Sequence, residues 1–199
     1  MEREIRAGVP VEIREAADGG LKVEGYAAVF NQEADIGGYF REVFRPGAFA
    51  EAIGRDDVVF LVNHDGLPLA RTRSKTLTLS EDDHGLKMAT TLDPDDPDVK
   101  AIAGKMRRGD LDKMSIAFLP EPGFEGWDET GKTPLRIIER ANLYDISVVT
   151  TPAYDGTKIA LRSLEKHRDQ ERRKQNFHAA RQRRMGMHLA LRERENGPR

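Results

Sequence analysis

The chain has 199 residues, with 32 Lys and Arg against 34 Asp and Glu, five His and no Cys. The missing cysteine excludes a disulfide framework, a thiolate nucleophile and a Cys-ligated zinc. At 33% charged and 38% hydrophobic residues, with no apolar run approaching about 18 residues, the sequence predicts no membrane-spanning helix, and its polar, acid-bearing start does not read as a secretory signal.

Residues 21–30, with Leu21, Val23 and the run Gly25-Tyr26-Ala27-Ala28-Val29-Phe30, predict an early strand. Pro46-Gly47-Ala48-Phe49 predicts the opening of a short helix that runs to about Ile53, since proline suits a first helical turn. Val58-Val59-Phe60-Leu61-Val62 is continuously apolar, which predicts a strand buried on both faces. Thr76-Leu77-Thr78-Leu79-Ser80 alternates strictly, and Leu86, Met88 and Thr90 resume after Glu81-Asp82-Asp83-His84-Gly85. That pattern predicts a hairpin in which Gly85 supplies a positive φ.

Asp96 and Pro97 read as the N-cap and first residue of a helix. Val99, Ile102, Ala103 and Met106 follow at helical spacing, and Gly109 ends it. Residues 113–119 form another apolar strand. Residues 120–134, PEPGFEGWDETGKTP, read as a long Gly/Pro-rich loop. Residues 135–138 and 141–150 complete the strands.

Charge is unevenly spread along the chain. Residues 163–199 hold eleven Lys and Arg and five Asp and Glu, a balance of +6, against 21 and 29, a balance of −8, in residues 1–162. The sequence therefore divides into a folded body, 1–162, and a basic tail, 163–199. The tail is rich in helix formers, has no proline before Pro198 and has too few apolar residues for a core stripe. It reads as a helix with a solvated face, or as a segment disordered when alone that a partner orders. Phe177 is its only Phe, Tyr or Trp, which counts against a nucleic-acid stacking platform.

Many short strands with two short helices in the body predict a mainly β (α+β) fold, a closed or nearly closed β-barrel with surrounding short helices and a C-terminal helical tail. The strands and helices do not alternate as in a Rossmann fold, and no G-x-G-x-x-G, H-E-x-x-H, EF-hand or G-x-S-x-G spacing is present.

Three polar side chains fall where the pattern predicts burial. His64 follows Asn63 at the end of Val58–Val62 and by period two shares a face with Val62 and Phe60, Ser115 is centred in the apolar run at 113–119, and Asp145 interrupts Leu143-Tyr144-Asp145-Ile146-Ser147-Val148-Val149. A carboxylate in such a strand is costly unless paired or hydrogen-bonded. One arrangement satisfies all three together: Asp145 accepts from one imidazole nitrogen of His64, and the other nitrogen accepts from Ser115. That is the serine-nucleophile arrangement. The alternative stands beside it, with each residue satisfied locally and Asp145 paired with Arg140 or Arg136. Glu139, Asp110 and Asp112 compete as the carboxylate. His84 competes as the imidazole, although its Asp-Asp-His-Gly setting reads as an exposed turn. His167, His178 and His188 lie in the tail. With two His in the body and no clustered ligand spacing, no metal site is predicted, and no cofactor is called for.

Several segments, taken in order, resemble the prohead (capsid-maturation) serine protease family of tailed phages. They are Gly25-Tyr26-Ala27-Ala28-Val29-Phe30-Asn31, Phe44-Arg45-Pro46-Gly47-Ala48-Phe49, Leu61-Val62-Asn63-His64-Asp65 and Arg71-Thr72-Arg73-Ser74-Lys75-Thr76-Leu77. Arg108-Gly109-Asp110, Met114-Ser115-Ile116-Ala117-Phe118 and the segment from Asp145 to Tyr154 follow. The resemblance covers roughly residues 4–163. It implies a serine endopeptidase distantly similar to herpesvirus assemblin. His64 would be the general base, Ser115 the nucleophile and Asp145 the third member, where the family usually carries Glu. A second departure is Ala70, where relatives often show Gly before Arg. Arg71 and Arg73 are then candidate neighbours of the oxyanion site or, equally, part of a solvated hairpin edge, and Trp127 is a candidate cover or packing anchor.

The resemblance further implies a role inside the immature capsid, in the host cytoplasm, on the major capsid protein or its scaffold segment and on the protease itself. A homo-oligomer is left open, and neither a membrane nor nucleic acid is expected as a partner. The alternative function is a catalytically inactive capsid assembly or scaffold protein of the same fold, its basic tail binding scaffold or nucleic acid.

Overall fold

Twelve strands and three helices are present among the residues that the computed structural model describes, 3–15, 20–150 and 157–195. In chain order they are β1 (Glu4–Glu15), β2 (Leu21–Val29), β3 (Ala34–Ile36), β4 (Phe40–Phe44), α1 (Ala50–Arg55), β5 (Val59–Val62), β6 (Asp65–Arg71), β7 (Leu77–Glu81) and β8 (Gly85–Leu92). They continue with α2 (Pro97–Arg107), β9 (Lys113–Pro120), β10 (Glu125–Asp128), β11 (Leu135–Ile138), β12 (Ala141–Val149) and α3 (Thr157–Glu195). The chain divides into two units, Met1–Ile159 and Ala160–Arg199.

Eight strands form one sheet in the order β6-β5-β12-β9-β1-β2-β8-β7. Its edges, β6 and β7, are consecutive in the chain and joined by residues 72–76 only. A flat sheet of eight strands would hold its edges roughly 34 Å apart, whereas so short a link spans roughly 20 Å. The sheet therefore rolls until the Arg71 N–H donates to Thr76 Oγ1 at 2.8 Å and the Thr76 N–H donates to the Arg71 carbonyl at 3.2 Å. No ladder joins β6 to β7 among the described residues, so of the expected closed or nearly closed barrel the closed form is not found. The fold is mainly β with helices. A second sheet, β10-β11-β4-β3, contains a parallel pair, β11 with β4.

Local chemistry explains most elements. The Asp96 side chain accepts from the Asp98 N–H at the start of α2, Pro97 occupies the first turn, and Gly109 follows the helix at φ 80°, as the capping pattern predicts. Pro46 does not open a helix. Residues 46–49 form turns, α1 starts at Ala50, and the Glu81 carboxylate accepts from the Phe49 N–H at 2.7 Å. The β7–β8 hairpin forms, but Gly85 is not in the positive-φ region. It is needed for a close approach instead: a Cβ there would sit 2.1 Å from the carbonyl oxygen of Ala28.

The 120–134 segment is not all loop, because β10 and β11 pair antiparallel within it and just after it. Residues 126–133, GWDETGKT, also fit the G-x-x-x-x-G-K-T spacing of a phosphate-binding loop. Here they join strand to strand, without the helix N-terminus that gives such a loop its anion site.

Phe44 from the second sheet packs edge-on against Phe118 of β9 at 5.1 Å. Beside this contact lies a buried ionic network. Arg136, 1% exposed, donates to Glu4 at 2.6 and 2.9 Å, to Glu42 at 3.0 Å and to Glu125 at 2.9 Å. Arg6 joins it through Glu42 at 2.5 Å and Glu4 at 2.8 Å. Burial opposes ionisation of Glu4, but Arg136 and Arg6 outweigh it and hold the carboxyl below its ordinary value. Burial likewise opposes the charge of Arg136, and its three glutamates outweigh that and raise its pKa. The network ties β1 to the second sheet.

In the second unit, the tail is helical through Glu195. Residues 172–192 carry seven Lys and Arg and no acid. Phe177, Met185 and Met187 are exposed.

Candidate active site

β9 and β12 are buried on both faces, and their two faces do different things. Met114, Ile116 and Phe118 of β9, with Ile146 and Val148 of β12, belong to the hydrophobic core. Ser115 and Ala117 point the other way, and the register sets Ser147 opposite Ser115 and Asp145 opposite Ala117. Strict alternation would put Asp145 on the same face as Leu143, which is a core residue. A β-bulge resolves the conflict. The register shifts between Leu143 and Asp145, so Tyr144 is the extra residue and Asp145 turns to the face of Ser115.

His64 reaches that face by a second break in alternation. Period two would place it with Phe60 on the core side, as the sequence reading assumed. Val62 pairs with Asp65, so Asn63 and His64 are the two central residues of a tight hairpin turn. Both have positive φ, 52° and 59°, the pattern of a type I′ turn. Asn tolerates this region, but His rarely occupies it. The Asn63 side-chain oxygen accepts from the Thr150 N–H at 3.1 Å, and the Asn63 N–H donates to the Val148 carbonyl at 3.0 Å. These bonds fasten the turn to the end of β12.

The outcome is a hydrogen-bonded row. His64 Nδ1 lies 2.5 Å from Asp145 Oδ1, and His64 Nε2 lies 2.6 Å from Ser115 Oγ. With Asp145 a carboxylate, Nδ1 carries the hydrogen and Nε2 is left as the acceptor. Ser115 Oγ also lies 2.9 Å from the Arg6 carbonyl on β1, so its one hydrogen has two acceptors within reach. Ser115 is 0% exposed, and the side chain of His64 is 10% exposed. Ser147, which the sequence reading passed over, donates to Asp145 Oδ1 at 3.0 Å and accepts from the His64 backbone N–H at 3.1 Å. Its place two residues after Asp145, on the same strand, was the available signal.

The other candidates lie elsewhere. Arg136 serves the ionic network, and Arg140 pairs with Glu51 at 2.6 Å, so neither takes Asp145. Asp110 pairs with Arg108 and Asp112 with Lys113, and Glu139 is exposed beyond β11. His84 is exposed and packs edge-on against Tyr26. Arg71 and Arg73 both bind Asp57, at 2.7 and 3.2 Å. Arg71 lies on β6, three strands from Ser115. Ala70 is buried opposite Phe60. Trp127 packs against Phe40 at 5.0 Å, with Arg136 over its ring, as a packing anchor would.

A hydroxyl, an imidazole and a carboxylate in one hydrogen-bonded row is the arrangement that serine hydrolases share across unrelated folds. The chain belongs to the Caudovirus prohead serine protease family, whose sequence model matches residues 9–170. It is 31% identical over 155 residues to the prohead protease of Enterobacteria phage HK97, an alignment covering 75% of this chain. The chain spans 64% of the length of that relative. Among solved structures, the capsid assembly protease of bacteriophage T4 superposes with a TM-score of 0.50 at 12% identity, covering 76% of this chain and 100% of that one. This last likeness is one of fold.

Proposed function

We propose that this chain is a serine endopeptidase that cleaves scaffold, or the scaffolding segment of the major capsid protein, and itself, inside the immature capsid. What supports the reading is the row Ser115–His64–Asp145, at 2.6 and 2.5 Å, in a member of a serine protease family. Ser115 is the nucleophile. His64 Nε2 takes its proton as Oγ attacks the scissile carbonyl, and later gives that proton to the leaving amine. Asp145 holds the imidazole tautomer and stabilises the imidazolium. For attack, the Ser115 hydrogen must be directed to Nε2 and not to the Arg6 carbonyl. Because Ser115 has no exposed surface, a peptide reaches it only after its cover shifts.

The body, 1–162, carries the chemistry, and the tail, 163–199, recruits the partner. The acid-free run of seven basic residues in α3 suits an acidic scaffold segment. A distant kinship to herpesvirus assemblin is part of the same proposal, and the rolled eight-stranded sheet supports it. An inactive assembly protein of the same fold is the second reading, and retention of all three groups in bonding distance counts against it.

The test is co-expression of the chain with the adjacent major capsid gene, followed by mass mapping of new termini. Cleavage with the native chain and none with Ser115→Ala is the expected result. Equal cleavage with both ends the assignment.

A further inference from the structure

A buried hydroxyl beside the row takes no part in the proposed mechanism. Ser147 is 0% exposed, and its Oγ contacts the His64 backbone N–H at 3.1 Å, Asp145 Oδ1 at 3.0 Å and His64 Nδ1 at 3.2 Å. The bond directions are forced. A backbone N–H only donates, so Ser147 accepts from His64. A carboxylate oxygen only accepts, so the Ser147 hydrogen goes to Asp145. Nδ1 already gives its hydrogen to Asp145 and cannot act as base toward Ser147.

We infer that Ser147 is a positioning residue for the row, its single hydroxyl fixing both the carboxylate of Asp145 and the backbone of His64; this rests on the proteolytic reading of Ser115. Two donors, the His64 Nδ1–H and the Ser147 O–H, converge on Oδ1 and hold the carboxylate in one orientation. The same oxygen atom of Ser147 anchors the N–H of a residue at φ 59°, a conformation that persists only when its surroundings over-determine it. Removing the hydroxyl therefore frees both ends of the Asp145–His64 pair at once. The imidazole then loses its fixed line to Ser115, and a slip of that kind costs about 10²-fold in rate. Peptide binding is not touched, because Ser147 lies on the Nδ1 side of the ring.

Two measurements on the 199-residue chain test this. In the Ser115→Ala background, the proton spectrum is followed for the downfield His64 Nδ1–H resonance with and without Ser147→Ala. Loss or an upfield move of that resonance is expected, and an unchanged resonance overturns the inference. In the native background, turnover is measured on a peptide spanning the mapped cleavage site. Ser147→Ala should lower kcat about 10²-fold and leave KM within about twofold, and an unchanged kcat overturns the inference. Should Ser147→Ala fail to fold, Ser147→Cys, close in size and a weaker donor, carries both measurements, and unchanged values there count equally against it. The resonance is read without turnover. An active Ser115→Ala protein therefore sinks the proteolytic reading, while an unchanged resonance sinks the role of Ser147 alone.

Discussion

Ser115 and Ser147 stand opposite each other in the β9–β12 ladder, and the His64 ring turns Nε2 to the first at 2.6 Å and Nδ1 to the second at 3.2 Å. Two hydroxyls thus approach one imidazole, and Asp145 decides between them. By accepting from Nδ1–H it leaves Nε2 as the ring acceptor, and Nε2 faces Ser115, as the proposed activation of Ser115 requires.

Under the proposed mechanism, loss of the Ser115 hydroxyl should be far more severe than loss of the Ser147 hydroxyl. Ser115→Ala is expected to reduce cleavage on the order of 10⁶-fold. Asp145→Asn should retain the fold by circular dichroism yet lose about 10⁴-fold, because the amide favours the wrong tautomer. Glu139→Gln should match the native rate, and a loss there comparable to Asp145→Asn would move the carboxylate role.

The turn that presents His64 stores strain at two residues. Asn63→Ala removes the acceptor of the Thr150 N–H and puts an ordinary side chain at φ 52°. It should destabilise the protein by about 1–3 kcal/mol. Asn63→Gly keeps the conformation and should cost less. Urea midpoints for the pair measure the difference.

Arg136 is the shared partner of three glutamates. Arg136→Met removes from buried Glu4 and Glu42 a guanidinium that both bind, leaving Arg6 beside them. The expected cost is about 3–5 kcal/mol, read as a lowered Tm. A change below about 1 kcal/mol would show that the network contributes little that Arg6 does not supply.

Acid should weaken the same region. Glu4 has its pKa held below 4.5 in the folded chain, burial opposing and Arg136 and Arg6 outweighing it. A depressed carboxyl binds fewer protons folded than unfolded, so its stabilisation is complete above 4.5 and is lost as pH falls through the lower folded value. Unfolding free energy should decline with acidification below about pH 4.5, and Glu4→Gln should flatten that decline.

Two glycines predict opposite outcomes. Gly85→Ala drives a methyl to 2.1 Å from a backbone oxygen of β2, which cannot swing aside as a side chain would. It should cost about 1–3 kcal/mol or more. Gly54→Ala, in α1 with nothing within 4 Å, should stabilise by about 0.5–1 kcal/mol. Thermal melts of both variants decide the point.

Local chemistry in the chain was enough to determine the capped helix α2, the β7–β8 hairpin and the three residue types that meet at the site, and it left the basic tail as helix or disordered segment. These rest on contacts between residues close in sequence, where periodicity, caps and turn residues act directly. Tertiary structure alone decided the rest. The partners of β1 are one case: Ile5, Ala7, Val9, Val11 and Ile13 alternate in the sequence, but only the folded chain sets Glu4–Pro10 along β9 and Val11–Glu15 along β2. Period two misplaced His64, because two left-handed residues reverse the alternation it assumed, and it gave no account of the extra residue at Tyr144 that turns Asp145 away from the core. The choice of Asp145 over Glu139, the part of Ser147, and the capture of Arg136 by Glu4 and Glu42 depend on which strands become neighbours. That pairing is set by burial of the whole sheet, and no short window of sequence contains it.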